Sequence, residues 1–301
     1  MSLQWQGVFP ALTTKFGPDE RLDVAAMERH YASQIEAGVH GLVVLGSLGE
    51  NGTLSPDEKQ EILKLAVRVG NRKVPVIAGV AETTTARACK FAELAAREGI
   101  DGLMVLPPMQ YVSDQRETIQ HLRTVARATD CPIMLYNNPV AYRVDITPEM
   151  FAALADERKF VALKESSDTV RRITDIRNLV GDRYRIFVGV DDLAMESLLL
   201  GADGWVAGLV CAFPRETVVL YKLVKAGRLA EALALYRWFT PLLHLDAHVK
   251  FIHYIKLAEA MAGDGTEQMR APRLPLAGDE RKEIEGIIRK ALDTRPSMPA
   301  I

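Results

Sequence analysis

Cysteine is scarce. Only Cys89, Cys131 and Cys211 occur in 301 residues, odd in number and far apart. That excludes a disulfide framework and a C-x-x-C metal pair, and it fits a reducing compartment, the cytoplasm. An excess of charge is also missing: 37 Lys and Arg stand against 39 Asp and Glu, for a net charge of −2. No strong field therefore favours nucleic acid or an anionic membrane. No apolar run reaches the roughly 20 residues of a membrane span. Residues 1–6 lack the basic patch and apolar run of a secretory signal. No Gly-rich phosphate fingerprint follows the first apolar run, which counts against an open dinucleotide-binding sheet.

What remains is a chain that is 48 % hydrophobic and 25 % charged, able to bury a large core. Short apolar runs recur at 7–12, 41–45, 74–78, 102–106, 132–136, 160–163, 185–189 and 204–207. They show little polar alternation, as strands covered on both faces do. Between them lie amphipathic stretches with helix signals. The 23–37 stretch stops at Gly38, and Ser55-Pro56-Asp57-Glu58 supplies an N-cap, a first-turn proline and acids. Further helices are expected at 83–98, 113–128, from Thr147, from Asp168, at 191–200 and from Pro214. Eight β/α repeats in series predict an α/β fold, a (β/α)8 TIM barrel over residues 1–226. Residues 227–301 read as a helical extension packed on it, with helices at 229–239, 242–261 and 279–292. A loop is expected at 263–278 and a loose tail at 293–301.

Function in such a barrel gathers at the C-terminal ends of the strands. Lys164 ends the sixth run. A free lysine has a pKa near 10.4, so only about one in 2,500 is neutral at pH 7. An apolar pocket lowers that pKa, and a neutral amine can attack a carbonyl to form a Schiff base. The alternative is a lysine that snorkels to water or pairs with Glu165. Tyr136 ends the fifth run, where a phenol can shuttle protons, or else simply pack. Gly46-Ser47-Leu48-Gly49-Glu50 follows the second run. Its glycines permit a tight turn with amides free to meet a carboxylate, and Ser47 adds a hydroxyl.

Four segments, Gly46-Ser47-Leu48-Gly49-Glu50, Tyr136-Asn137-Asn138-Pro139, Leu163-Lys164-Glu165 and Gly189-Val190-Asp191-Asp192, occur in order. Together they resemble the dihydrodipicolinate synthase/N-acetylneuraminate lyase family over almost the whole chain. The resemblance implies a class I lyase that needs no metal or organic cofactor. Lys164 would be its Schiff-base lysine, Tyr136 the proton-relaying tyrosine and Ser47 the hydroxyl of the strand-two loop. It further implies substrate contacts at Leu48, Gln110, Tyr111, Asn138 and Val206, and a homotetramer built from two tight dimers. The ligand would be a small-molecule 2-oxo or 2-imino acid.

The sequence departs from the family pattern in three places. Leu48 stands where many members have threonine. Ala141 stands where synthases acting on aspartate semialdehyde carry an arginine, and Arg143 lies two residues on. Gln110 stands near the tyrosine that completes a relay across the dimer, with Tyr111 adjacent. A guanidinium is the natural bidentate clamp for a carboxylate. Its loss disfavours a second, distal carboxylate on the substrate. The motifs then look most like deaminases of Δ1-pyrroline-4-hydroxy-2-carboxylate. The alternatives are 4-hydroxy-tetrahydrodipicolinate synthase, condensing pyruvate with aspartate semialdehyde, and a 2-keto-3-deoxy sugar acid aldolase or dehydratase.

Readings of another class remain. A barrel that only binds a ligand would not need Lys164 or Tyr136. His244 and His248 have the i, i+4 spacing of a metal pair, but they fall in the extension, away from the strand ends, where packing or an interface is the expected role. Glu165, Asp191 and Asp192 are available carboxylates, expected to cap and to hydrogen-bond loops. Trp205 and Trp238 are expected to pack.

Overall fold

The computed structural model describes residues 4–108, 110–263 and 265–301. Met1 of the N-terminal stretch, Met109 of the strand-four loop and Asp264 of the 263–278 loop lie outside the described residues. Eight strands form in the expected places: β1 Gly7–Pro10, β2 Leu42–Val44, β3 Val76–Val80, β4 Gly102–Val105, β5 Ile133–Asn137, β6 Phe160–Glu165, β7 Arg185–Val188 and β8 Gly204–Ala207. They lie in the order β1-β8-β7-β6-β5-β4-β3-β2, every pair parallel. A parallel bridge from Ala11 to Val43 and a bond from Leu12 N–H to Val43 C=O (2.8 Å) join β1 to β2. The sheet thus curls into the (β/α)8 barrel, and its strands are almost wholly buried.

Helices α1 Val24–Glu36, α2 Pro56–Gly70, α3 Thr85–Arg97, α4 Gln115–Arg127, the short α5 Pro139–Tyr142, α6 Pro148–Ala153, α7 Arg171–Val180, α8 Ala194–Leu199 and α9 Pro214–Lys225 alternate with the strands. Local chemistry sets their starts. Ser55 and Glu58 close a capping box on α2, Asp114 and Glu117 another on α4, and Asp23, Thr84 and Thr147 cap α1, α3 and α6. Helix α7 does not begin at Asp168 as expected. Asp168 has φ of +57°, outside helical geometry, and the chain runs on as a loop at the barrel mouth before Arg171.

The C-terminal helices are α10 Leu229–Leu243, α11 Phe251–Ala262 and α12 Gly278–Asp293. The expected break at Pro241 does not occur. Pro241 sits in the last turns of α10, where its missing N–H forfeits a single helical bond. The break falls instead at 244–250, and this segment crosses the barrel mouth. The tail is not loose either: Arg295 Nε pairs with the buried Glu216 at 2.5 Å, and the Arg228 guanidinium donates to the Ala300 carbonyl at 2.8 Å. Among the described residues, no helix is long and apolar enough to cross a membrane.

The bottom of the barrel packs around Phe187. Its ring meets Phe9 (centroids 5.2 Å) and Trp5 (6.5 Å) edge-on. It lies against Gly204, where a Cβ would stand 2.3 Å from the ring. Phe187→Ala is expected to cost about 3–5 kcal/mol of unfolding free energy in denaturant melts. A loss below about 1 kcal/mol would show that this layer is not part of the cooperative core.

Candidate active site

Register brings the central pair together. Tyr136 on β5 lies directly beside Lys164 on β6, and Asn137 beside Glu165. Neighbours in register on parallel strands share a face, and the face alternates along each strand. Tyr136 and Lys164 therefore turn into the barrel mouth, while Asn137 and Glu165 turn away. The Lys164 Nζ sits over the Tyr136 ring, 4.3 Å from its centroid. Glu165 accepts from the Asn137 amide (3.1 Å) and the Ser167 N–H (2.8 Å). The alternative in which Glu165 pairs with Lys164 is thus not the one the structure adopts. Gly189 at the end of β7 makes the space for the lysine: a Cβ there would stand 2.3 Å from Lys164 Cε.

Lys164 is 6 % exposed. Burial pushes its pKa below the ordinary lysine value, against the pull of Asp246, Tyr142 and Asp191. Burial likewise raises Tyr136, opposed by the Asn138 side chain. The Asn138 Nδ2 donates to the Tyr136 hydroxyl at 3.2 Å, and its Oδ1 caps α5 by accepting from the Ala141 N–H at 2.9 Å. The short α5 presents Tyr142, which sequence reasoning missed. Its ring stands edge-on to Tyr136 (5.7 Å, 85°), and its hydroxyl shares a hydrogen bond with Ser47 Oγ. An array of hydroxyls thus runs from beside the lysine to the strand-two loop.

That loop is braced from behind. Glu50 is buried with φ of +54°, and Lys256 of α11 pairs with it at 2.5 Å. Arg270 and Arg273 also donate to it, and the Thr14 hydroxyl holds the Gly49 carbonyl at 2.6 Å. Ser47 and Leu48 are thereby fixed at the mouth.

Ser47, Leu48, Tyr136, Asn138, Lys164 and Val206 all line one cavity of about 390 Å³. Gln110 and Tyr111 do not: both are exposed and outside the described lining. Arg143 is also exposed and outside it, whereas Ala141 is in the lining. Lys164 is the only lysine or arginine among the described lining residues. The extension, expected to lie away from the strand ends, instead supplies one wall. Asp246, His248 and Phe251 are part of it.

His244 and His248 do not converge on one ion. The first bonds Asp192 through Nδ1 at 2.7 Å, and the second accepts from the Lys250 N–H and stacks on Tyr254. A buried cluster of His30, Cys211 and Glu259 has ligand spacing, but the Lys15 ammonium already holds Glu259 at 2.7 Å, which opposes a cation there. Asp191 binds loop groups, accepting from the Trp205 indole (2.8 Å) and the Leu209 N–H (2.7 Å). Trp205 is fully buried, and Trp238 stacks on Phe239.

A buried, charge-destabilised amine, a phenol against it and the Gly46–Leu48 turn in the same cavity are parts that can add a lysine to the carbonyl of a small carboxylic acid. The comparisons agree. Residues 4–291 match the Dihydrodipicolinate synthetase family. The 4-hydroxy-tetrahydrodipicolinate synthase of Methanothrix thermoacetophila is 30 % identical over 295 residues, 98 % of this chain and 99 % of that protein. The Salinibacter ruber protein of the same name is 37 % identical over 224 residues, 74 % and 73 % of the two chains. The solved 4-hydroxy-tetrahydrodipicolinate synthase of Methylacidiphilum fumariolicum SolV superposes with a TM-score of 0.91 at 28 % identity, covering 96 % of both chains. The chloride-inhibited dihydrodipicolinate synthase of Acinetobacter baumannii, solved with pyruvate, also gives 0.91, at 26 % identity over 96 % of this chain and 99 % of that one. The chain belongs to the dihydrodipicolinate synthetase family and is a class I, Schiff-base lyase.

Proposed function

We propose that Lys164 forms a Schiff base with a small 2-oxo or 2-imino acid bound in the 390 Å³ cavity. The observation that carries this reading is the buried Lys164 amine seated over Tyr136. The substrate carboxylate meets Ser47 and the amides of the Gly46–Leu48 turn, with Leu48 and Val206 as apolar walls. The neutral amine adds to C2. With a 2-oxo acid, Tyr136 delivers a proton to the resulting hydroxyl so that water leaves. With a cyclic 2-imino acid the proton goes to the ring nitrogen, whose bond to C2 breaks and opens the ring. In both, the iminium then acidifies C3. Tyr142 and Ser47 continue the proton path away from the lysine. Asn138 fixes the Tyr136 hydroxyl by donating to it. No metal or organic cofactor takes part in these steps.

The overall reaction has two readings. The relatives are named 4-hydroxy-tetrahydrodipicolinate synthase, and they support condensation of a bound pyruvate with aspartate semialdehyde. They do not support the deaminase expectation. One observation favours that second reading: Ala141 lines the cavity, Arg143 lies outside it, and among the described lining residues no guanidinium waits for a distal carboxylate. Assembly as a homotetramer in the cytoplasm also belongs to the proposal. Tyr111 and Val112, 57 % and 59 % exposed, would be covered there, and Gln110 and Tyr111 would meet a neighbouring subunit.

Incubation with pyruvate and borohydride is expected to add the mass of a reduced pyruvyl group to Lys164, and none to Lys164→Ala. Absence of the adduct in the unaltered enzyme, with pyruvate and with the hydroxy-pyrroline alike, overturns the reading. Formation of a condensation product with aspartate semialdehyde identifies the synthase, and ammonia from the hydroxy-pyrroline identifies the deaminase.

The rate of adduct formation follows from the lowered Lys164 pKa. The unprotonated amine is the nucleophile, so the rate falls as pH drops below that pKa, and the fall sets in at a lower pH than for an ordinary lysine. A rate that rises only near about pH 10, as for an ordinary lysine, contradicts the burial account. Tyr142→Phe is expected to lower kcat about 10²-fold while leaving KM for pyruvate within a few-fold. An unchanged kcat removes Tyr142 from the proton path.

A further inference from the structure

The barrel order places β5 on one side of Lys164 and β7 with β8 on the other. Tyr136 occupies the first side. The second holds two carboxyl groups, and they differ in what surrounds them. Asp191 is fully buried and outside the cavity lining, its oxygens taken by the Trp205 indole and by the N–H groups of Gly208 and Leu209. Asp246 comes from the 244–250 crossing and lines the cavity itself. It fits only because residue 208 is glycine: a Cβ there would stand 2.2 Å from Asp246 Oδ1. Asp168 and His248 also line the cavity, yet among these groups it is Asp246 whose charge acts most strongly on Lys164.

We propose that Asp246 is a catalytic acid, which carries a proton to the oxygen on C4 of the substrate, the carbon next to C3 of the Lys164 adduct. This rests on the Schiff base proposed above. The substrate class is then 2-oxo acids, or their cyclic imines, that bear or acquire a hydroxyl on C4.

The protonation state supports the role. Two neighbouring carboxyls, one fully buried and one half-buried, do not both ionise readily. Asp191 has three N–H donors to stabilise its anion, which favours the proton on Asp246 over the proton on Asp191. Burial and the Asp191 charge push the Asp246 carboxyl well above the ordinary carboxylate range.

The step balances in either direction of chemistry. In condensation, the enamine electron pair forms the C3–C4 bond. The aldehyde π pair moves to oxygen and takes the Asp246 proton, and the C2 iminium is restored. In dehydration, the C3–H bond breaks first to give the enamine, and its proton passes to the Tyr136 oxygen, which gave up its own proton when the Schiff base formed. Its electrons then form C3=C4 as the C4–O bond breaks. The oxygen takes the Asp246 proton and leaves as water, and the iminium is again restored. Both leave Asp246 as a carboxylate, which regains its proton from solvent.

The isosteric Asp246→Asn and Asp246→Ala separate this role from support of the lysine. Three readouts are compared with the unaltered enzyme. They are borohydride trapping of pyruvate on Lys164, exchange of pyruvate C3 protons in deuterated water, and turnover. Turnover is measured with pyruvate plus aspartate semialdehyde, with Δ1-pyrroline-4-hydroxy-2-carboxylate and with 4-hydroxy-2-oxobutanoate. The expected result is trapping and exchange within a few-fold of normal, with turnover down about 10²-fold or more. Turnover within a few-fold of normal overturns the proposal. So does a parallel fall of trapping, exchange and turnover in both variants, which would make Asp246 a prop for Lys164. An unaltered enzyme that traps pyruvate but turns over none of the three probes also overturns it. Failure of the unaltered enzyme to trap pyruvate sinks the Schiff-base reading itself and is seen separately.

Discussion

Desolvation of one amine is the constraint on which the site depends. An ammonium loses much of its hydration when Lys164 enters the barrel mouth, and the protein returns only part of that loss. The Tyr136 ring face offers a cation some compensation, as does the charge of Asp191. The balance leaves the lysine easier to deprotonate than one in water. Nucleophilicity is thus a property of the β5–β6–β7 register and of Gly189, which makes room for the side chain, before any substrate arrives.

The surrounding structure holds this arrangement from two directions. On the strand-two side, Glu50 is clamped by Lys256, Arg270 and Arg273, so the turn carrying Ser47 is fixed by residues more than 200 positions away. Buried ion pairs of this kind add little net stability, and losing one partner leaves an expensive unpaired charge. Their contribution here is placement. On the strand-eight side, the 244–250 crossing brings Asp246 over Gly208. The C-terminal helices are therefore part of the site as well as a cover for the barrel.

The barrel was legible because the strands are apolar runs buried on both faces and several early helices begin with a cap the sequence states outright, as at Ser55-Pro56 and Thr147-Pro148. Lys164, Tyr136 and Ser47 could be picked out because they end strands, and strand ends can be located from the runs. Asp246 could not, since no strand leads to it. Pro241 lies inside α10, and the crossing at 244–250 falls within the stretch 242–261 whose apolar pattern predicts a helix. Tyr142 depends on a four-residue helix too short for any periodic signal, although Pro139 and the Asn138 cap were visible. Gln110 and Tyr111 face away from the cavity of their own chain, a matter of loop direction that residue type does not encode.

The most direct measurement is a crystal structure of the enzyme soaked with pyruvate without reductant. Continuous density between Lys164 Nζ and C2 of the ligand, with the carboxylate at the Ser47 turn, is the expected result. Pyruvate bound elsewhere, or bound in the cavity while Nζ remains over the Tyr136 ring and separate from C2, would contradict the account.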